Sequence, residues 1–404
     1  MKNKIELLAP AGNLEKLKIA IMYGADAVYI GGKYFSLRAR ANNFTIDDIR
    51  EGVKFASSYN AKVYVTMNIV PRESDFNDCS LVDYLKELCD AKVSGIIVSS
   101  MYIASVALKE APSLEVHLST QASCTNKESI NYYASMGIKR VVLAREVNLK
   151  QIKTLTKKAD VGLEVFIHGG MCSSFSGRCM LSNYFVNRDA NRGGCAHSCR
   201  WNYDLYEKGL FTNKLVNKEG FFNIASKDLC AIKLIKELIE AGVESLKIEG
   251  RMKSEYYIAT VVRCYRQLID AIYNNEEIDY EYYAKEILKA ENRDTSTGFL
   301  KGDVTVNEQL YASSDHPTKE FVGYVLDYDE KTKIATIEQR NYFEVGDTLE
   351  FFGPHLENTL YKVEEVFDSD GLPISVARHP KQLLKMKVGF KVNKGDMVRK
   401  KIDN

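Results

Sequence analysis

The sequence predicts an α/β fold: a (β/α)8, TIM-like barrel followed by a small all-β, barrel-like C-terminal domain. Three observations carry that expectation. Over the first ~270 residues, eight short β-rich runs alternate with amphipathic helical stretches. The runs are apolar throughout, as parallel strands covered on both faces must be. Past residue 321 the pattern shortens to strand–turn–strand, with no further helical period.

Strands are expected at 5–9, 27–31, 62–69, 95–99, 115–120, 140–144, 163–168 and 243–248. Helical patterns between and after them cover 13–23, 45–58, 81–91, 127–136, 149–158, 227–241 and 254–273. Asn13 and Thr45 are N-cap residues, and Gly24 and Gly137 stand where helices should stop. Eight β units, each followed by a helix or loop, fit a closed barrel better than an open doubly wound sheet. The one long gap, from 168 to 243, reads as an insertion at 169–225 after the seventh strand. The barrel is therefore assigned to 1–293, including the acidic, tyrosine-rich segment 274–293, a connector to 294–320 and the β domain to 321–404. In that last part, runs at 321–328, 333–338, 348–352, 361–367 and 387–392 are separated by turn signals such as Ser369-Asp-Gly371.

Composition narrows the class. A chain of 404 residues, 45% hydrophobic and 27% charged, is that of a soluble globular protein whose core needs no disulfides. No apolar run is long enough to span a bilayer, so no membrane partner is expected. Nine cysteines, an odd number, behind a start that does not resemble a signal peptide, point to the reducing cytoplasm. A net charge of +1 neither supports nor excludes a nucleic-acid partner.

Four of the nine cysteines lie within the insertion, as Cys172, Cys179, Cys195 and Cys199. Thiolates gathered at short spacing, among glycines that let the backbone bend, suit a soft metal centre. Their separations copy neither the common ferredoxin nor the zinc-ribbon pattern, so spacing alone leaves an iron–sulfur cluster and zinc both open. Cys230 is the substitute ligand if Cys199 points away. Cys124 is a weaker candidate, and Cys79, Cys89 and Cys264 sit in helical patterns as packing thiols. A cysteine nucleophile beside His168 or His197 would not need three companion thiols, and neither a Gly-x-Ser-x-Gly elbow nor a His-Glu-x-x-His helix is present.

The run E-V-F-I-H-G-G-M-C-S-S-F-S-G-R-C-M-L-S at 164–182 resembles the signature of the collagenase-like peptidases of family U32. Leu7-Leu-Ala-Pro-Ala-Gly-Asn13, Gly24-Ala-Asp-Ala-Val-Tyr-Ile-Gly31, Ser119-Thr-Gln-Ala122, Asn183-Tyr-Phe with Asn187-Arg-Asp, and Ser245-Leu-Lys-Ile-Glu-Gly-Arg251 follow the family patterns in the same order. Cys195-Ala-His-Ser-Cys199-Arg-Trp is most similar to the branch that hydroxylates the wobble uridine of tRNA to 5-hydroxyuridine. That resemblance implies a [4Fe–4S] cluster on the four loop cysteines, with zinc as the alternative. It also implies prephenate as co-substrate, tRNA as partner and, as in branches with two paralogous chains, a paralogous partner subunit. The alternatives are a collagenase-like peptidase and a non-catalytic, cluster-bearing RNA-binding or assembly subunit.

Polar residues at the C-terminal ends of barrel strands are the remaining candidates. Glu249, Arg251 and His168 are expected in catalytic roles; His117, Gln121, Arg145 and Lys247 are expected to bind substrate, with Asn68 at the third strand's end. Arg251 and Arg145 suit a dicarboxylate such as prephenate, because guanidinium forks bind carboxylates bidentately. Arg38 and Arg40 are further anion-site candidates. Arg178, Arg188, Arg192, Arg200 and Lys208, interleaved with Phe175, Tyr184, Phe185 and Trp201, suit a stacked, single-stranded base and its phosphates. The tail has no cysteine and is expected to be an accessory docking module, separable by cutting after about residue 302.

Overall fold

The structure, a computed structural model, describes residues 4–37, 43–207, 209–211, 222–290, 293–302, 304–305 and 318–402. Eight parallel strands form the barrel: β1 (Glu6–Pro10), β2 (Ala27–Gly31), β3 (Lys62–Met67), β4 (Gly95–Val98), β5 (Glu115–Leu118), β6 (Arg140–Val142), β7 (Gly162–Gly169) and β8 (Ser245–Ile248). Each pairs with the next, and β8 closes the ring by pairing with both β7 and β1. The helices that follow them are α1 (Leu14–Met22), α2 (Ile46–Ser58), α3 (Leu81–Asp90), α4 (Met101–Glu110), α5 (Lys127–Ser135), α6 (Leu149–Leu155), α7 (Ile235–Ala241) and α8 (Glu255–Tyr273).

Local chemistry sets these boundaries. The Asn13 side chain accepts from the amide of Lys16 at 2.8 Å, and Thr45 and Asp48 form a reciprocal capping box on α2. The predicted helix at 227–241 is corrected. Asp228–Cys230 is a short strand antiparallel to the end of β7, and α7 starts only at Ile235. Long-range pairing with β7, which no local pattern in the segment announces, sets the strand. Helix α4 was not read from the sequence, and the tyrosine-rich stretch after α8 contains a helix, Tyr280–Leu288.

The C-terminal domain is a curled antiparallel sheet. Its strands β9 (Lys319–Asp329), β10 (Ile334–Gln339), β11 (Thr348–Phe352), β12 (Thr359–Lys362), β13 (Leu383–Lys387) and β14 (Met397–Lys401) run in the order β12-β11-β14-β9-β10-β13. Val322, Val325, Ile337, Phe351, Leu384 and Val398 fill its own core. It is also fused to the barrel. Phe352 and Met397 belong to the barrel's core, and Phe321 stacks on Tyr256 of α8 with ring centroids 5.6 Å apart. Arg399, wholly buried, donates to Glu350 at 2.6 Å and to Glu286 at 2.9 Å, the latter on the Tyr280–Leu288 helix. The expectation of a separable tail is therefore corrected: a cut after about residue 302 would uncover this apolar face and strand Glu286 without its arginine.

Candidate functional site

Inside the barrel, two levels differ in chemistry. The lower level, toward the strands' N-terminal ends, is a network of paired charge. Arg140 donates to Glu6 at 2.5 Å, to Glu244 at 2.6 Å and to Glu164 at 3.4 Å. Lys247 donates to Glu164 at 2.8 Å, and its ammonium lies 4.5 Å from the Tyr29 ring centroid. Burial alone would raise the Glu164 carboxyl, but Lys247 and Arg140 outweigh it and hold the group below its ordinary value. Burial pulls the Lys247 ammonium down, against the pull of Glu164. His117 is 1% exposed, packs 4.7 Å from the Tyr64 ring and meets Glu115 at 3.1 Å. The substrate-binding expectation for Lys247 and His117 is therefore corrected. Alternation along β8 and β5 turns both side chains into the lumen below the mouth, where Lys247 is paired with Glu164 and His117 with Glu115.

The upper level, at the mouth, is lined by uncharged polar groups, arginines and the Glu249 carboxylate. Arg251 is buried, and its Nη1 donates to Ser36 at 3.2 Å and to Thr66 at 3.0 Å. Gly31 makes room for it, because a Cβ there would strike the guanidinium. Gln121 accepts from Asn68 at 3.0 Å and from Ser119 at 3.3 Å. Arg145 lies with its guanidinium carbon 3.9 Å from the Phe166 ring centroid and donates to the carbonyl of Gly170 at 2.6 Å. Glu249, just past β8, lies beside Gly170. Arg251, Gln121, Arg145 and Glu249 thus sit at the C-terminal face. His168 does not: it is fully buried and faces α8, with Nδ1 3.1 Å from the Tyr265 hydroxyl. A bulge between Lys247 and Ile248 accompanies this turn away from the lumen. The catalytic expectation for His168 is corrected: its ring is packed between Tyr257 and Tyr265, away from the mouth.

The cysteine loop leaves β7 and is clamped across the mouth. Arg192 donates twice to Asp75 at 2.6 Å and once to the carbonyl of Val70 at 2.9 Å, beyond β3. That bidentate bond holds the Asp75 carboxyl below its ordinary value. Arg72 pairs with Asp189 at 2.7 Å, and the amide of Ser176 donates to Glu146 at 2.8 Å, beyond β6. Arg192 is thus a clamp instead of an RNA contact. Arg38, Arg40 and Lys208 lie outside the described residues.

Cys199 is half-buried, and its thiol is pushed up first by burial and then by the neighbouring Cys172 and Cys195 sulfurs. Three of the expected ligands are therefore electrostatic neighbours. Amides donate to two of the loop sulfurs: Leu181 to Cys179 and His197 to Cys195, each at 3.4 Å. Asn191 fixes the Cys179 backbone through its carbonyl and amide, at 3.3 and 3.1 Å. This donor set, soft sulfurs with amides aimed at them, fits a thiolate-held cluster. Among the described residues no three His, Cys, Asp or Glu groups converge tightly enough for a single metal ion. Cys230 turns away: its sulfur lies 4.0 Å from the Tyr265 hydroxyl and beside Cys264, so its substitute role is withdrawn. Cys124 is buried, and its thiol is pushed up to about 11.

Aromatic side chains crowd the outer face of the same loop. Tyr184 is 79% exposed and Phe175 54%, while Phe185 lies 5.8 Å from Trp201 and 6.0 Å from Tyr203. Asp228, Lys253 and Arg293 meet beside Gly170, a grouping that no local sequence pattern announces. Asp228 lies only two residues from Cys230, but nothing in its local pattern marks it as buried.

The family model for peptidase family U32 matches residues 12–310, and that for the peptidase family U32 C-terminal domain matches 317–399. The chain is 48% identical over 402 residues to tRNA hydroxylation protein P1 of Bacillus subtilis, covering 98% of this chain and 95% of that one. It is 40% identical over 308 residues to tRNA hydroxylation protein P of Helicobacter pylori, covering 74% and 72%. It is 33% identical over 383 residues to a collagenase of Porphyromonas gingivalis, covering 90% of each. No helix among the described residues is long and apolar enough to cross a membrane. With both models matched in order along nearly its whole length, the chain belongs to peptidase family U32.

Proposed function

We propose that this chain is an RNA-hydroxylating enzyme that converts the wobble uridine of tRNA to 5-hydroxyuridine, with prephenate as co-substrate and a [4Fe–4S] cluster on Cys172, Cys179, Cys195 and Cys199. The observation that carries the reading is the cysteine loop itself, clamped over a barrel mouth and faced with exposed Phe175, Tyr184, Phe185 and Trp201. Aromatic faces beside a reactive centre suit an unstacked base, which must leave its stack before its C5 can be reached. The near full-length similarity to a tRNA hydroxylation protein supports the same reading.

When bound, an iron–sulfur cluster supplies one-electron chemistry that no side chain here offers. The rest is the chain's own work. The amides of Leu181 and His197 support the sulfurs, and Arg72 and Arg192 fix the loop to the barrel. Arg251 and Arg145 lie at the mouth where carboxylates of a dicarboxylate would enter, and Gln121 with Asn68 offers amides for a polar edge. A zinc site would bring four sulfurs within about 4 Å of one another, given a Zn–S bond of about 2.3 Å. Among the described residues no three such groups converge tightly enough for a single ion.

The peptidase alternative gains little from the geometry. A nucleophilic cysteine needs a lowered thiol pKa beside a base. The Cys199 thiol is pushed up, and His168 is committed to Tyr265. The test is the nucleoside profile of tRNA from a deletion strain. Loss of 5-hydroxyuridine and its derivatives, restored by the wild-type chain, is expected. An unchanged profile with gelatin cleavage by the purified protein would establish the peptidase. Restoration only with a co-expressed paralogue would make the chain one subunit of a pair.

A further inference from the structure

Four separate segments meet beside Gly170, at the ends of β7 and β8. Asp228 opens the short strand that pairs with β7, and Arg200 follows the last cysteine of the loop. Lys253 lies in the turn between β8 and α8, and Arg293 immediately precedes the segment that pairs with Asp228. Asp228 is 1% exposed. Arg200 stands 3.5 Å from its Oδ1, and Arg293 and Lys253 stand 3.5 and 3.8 Å from its Oδ2. Neither oxygen accepts a hydrogen bond. Among the described residues, Asp228 is the only ion-pair partner that any of the three cations has.

Three cations face buried Asp228, and with the Glu249 carboxylate also beside Gly170 the balance is one positive charge in excess. A charge-assisted bond closes to about 2.7–2.9 Å, and these separations are longer. The cations are gathered by Asp228 without being saturated by it. A buried carboxylate without hydrogen bonds and three crowded cations are each unfavourable alone. The arrangement becomes favourable when a second oxyanion takes the remaining N–H donors. Each cation keeps roughly a quarter of its side chain open to solvent, so the place is reachable. Lys253 is further steered by the Tyr257 ring, 4.6 Å below its ammonium. Barrel enzymes frequently seat phosphate groups in the loops after their seventh and eighth strands.

We propose that Arg200, Lys253 and Arg293, assembled on buried Asp228, form an oxyanion subsite of the barrel mouth that takes a carboxylate or phosphate group. Arg200 directly follows Cys199 in the chain, so binding there engages the cysteine loop. Two sources share this chemistry: a carboxylate of the small co-substrate, or a phosphodiester of the RNA. Naming those two rests on the proposed function; the subsite itself does not, and inorganic phosphate serves as a neutral probe.

The test uses the intact holoprotein, titrated by calorimetry with prephenate and with inorganic phosphate, and bound to tRNA across a salt series. Arg293→Gln and Lys253→Gln should each weaken anion binding about 10-fold, the equivalent of one lost charge-assisted bond. Asp228→Asn keeps the shape and removes the internal negative charge, so it should tighten binding roughly 3-fold or more. Opposite signs are something a merely structural cluster cannot produce. Weakened prephenate binding with unchanged tRNA binding identifies a carboxylate site. Weakened tRNA binding with a salt slope shallower by about 1 identifies a phosphate site. If Arg293→Gln and Lys253→Gln bind all three probes within about twofold of wild type, the subsite is wrong. It is also wrong if Asp228→Asn weakens anion binding as they do. Should Asp228→Asn fail to fold, the two glutamine variants decide alone. A deletion strain with unchanged nucleosides, alongside these binding shifts, would remove the RNA reading and leave the subsite standing.

Discussion

Charge is handled in opposite ways at the two ends of the barrel's interior. In the lower level every charge has a close partner: Arg140 holds Glu6 at 2.5 Å, and Lys247 holds Glu164 at 2.8 Å. At the mouth, Arg200, Lys253 and Arg293 surround Asp228 at 3.5–3.8 Å with no hydrogen bond to it. The lower network replaces the apolar filling usual in such barrels and is structure. The upper one has unspent donors, and unspent donors are what a ligand uses. Residue type alone does not separate the two cases, since both are lysines and arginines about carboxylates.

The strongest way to break this contrast is Lys247→Met. Removing one partner of a buried pair leaves Glu164 undercompensated and should cost about 3–5 kcal/mol, an apparent Tm loss on the order of 10 °C in thermal melting. Asp228→Asn at the mouth should cost less than Lys247→Met, because the three cations it faces each keep about a quarter of their side chains in solvent. Equal losses in the two variants would erase the distinction.

Next in size are the loop cysteines. Serine at Cys172, Cys179, Cys195 or Cys199 should abolish the brown colour and the iron, expected at about four per chain after anaerobic purification. Serine at Cys230 should leave both intact. Stoichiometric zinc without iron would overturn the cluster.

Arg251→Lys should lower kcat/KM for prephenate about 10-fold or more, because an ammonium cannot bridge Ser36 and Thr66 while presenting a fork to a carboxylate. Wild-type kinetics in that variant would remove Arg251 from the site.

The smallest effect lies outside both levels. Asp396, at the junction with Tyr23 and Arg263, is pushed up to about 6, chiefly by burial. The folded protein therefore keeps a proton there that the unfolded chain gives up near pH 4, and this contribution to stability fades as pH rises toward and past 6. Asp396→Asn should melt a few degrees above wild type at pH 7 and show little gain at pH 4. A gain that does not change with pH would show that Asp396 does not titrate in this window.

The barrel was legible because its signals are local and repeated: apolar runs, caps at Asn13 and Thr45, and glycines at Gly24 and Gly137, both at positive φ. The cysteine loop was legible as a cluster of one residue type. What sequence could not reveal is direction. Lys247 and Glu249 are two residues apart, yet Lys247 is locked in the lower network while Glu249 lies beside Gly170 at the mouth. His168 sits in the most recognisable motif of the chain, and a bulge opposite it accompanies its turn toward α8. Asp228, Lys253 and Arg293 come together only through pairing between segments some 65 residues apart, which no local pattern announces.

The cysteine loop departs from β7 and returns to it. Leu229 pairs with Gly169, and Cys230 with His168, so the excursion begins and ends within one hydrogen-bonded rung. An insertion with its two feet together exerts no leverage on the ring that carries it. Lengthening or trimming its outer part changes closure entropy only logarithmically, about 0.6 kcal/mol per doubling. The barrel can thus keep its register while the loop above it is remodelled for a differently shaped ligand, provided that the Arg192 and Arg72 clamps and the sulfur positions stay where they are.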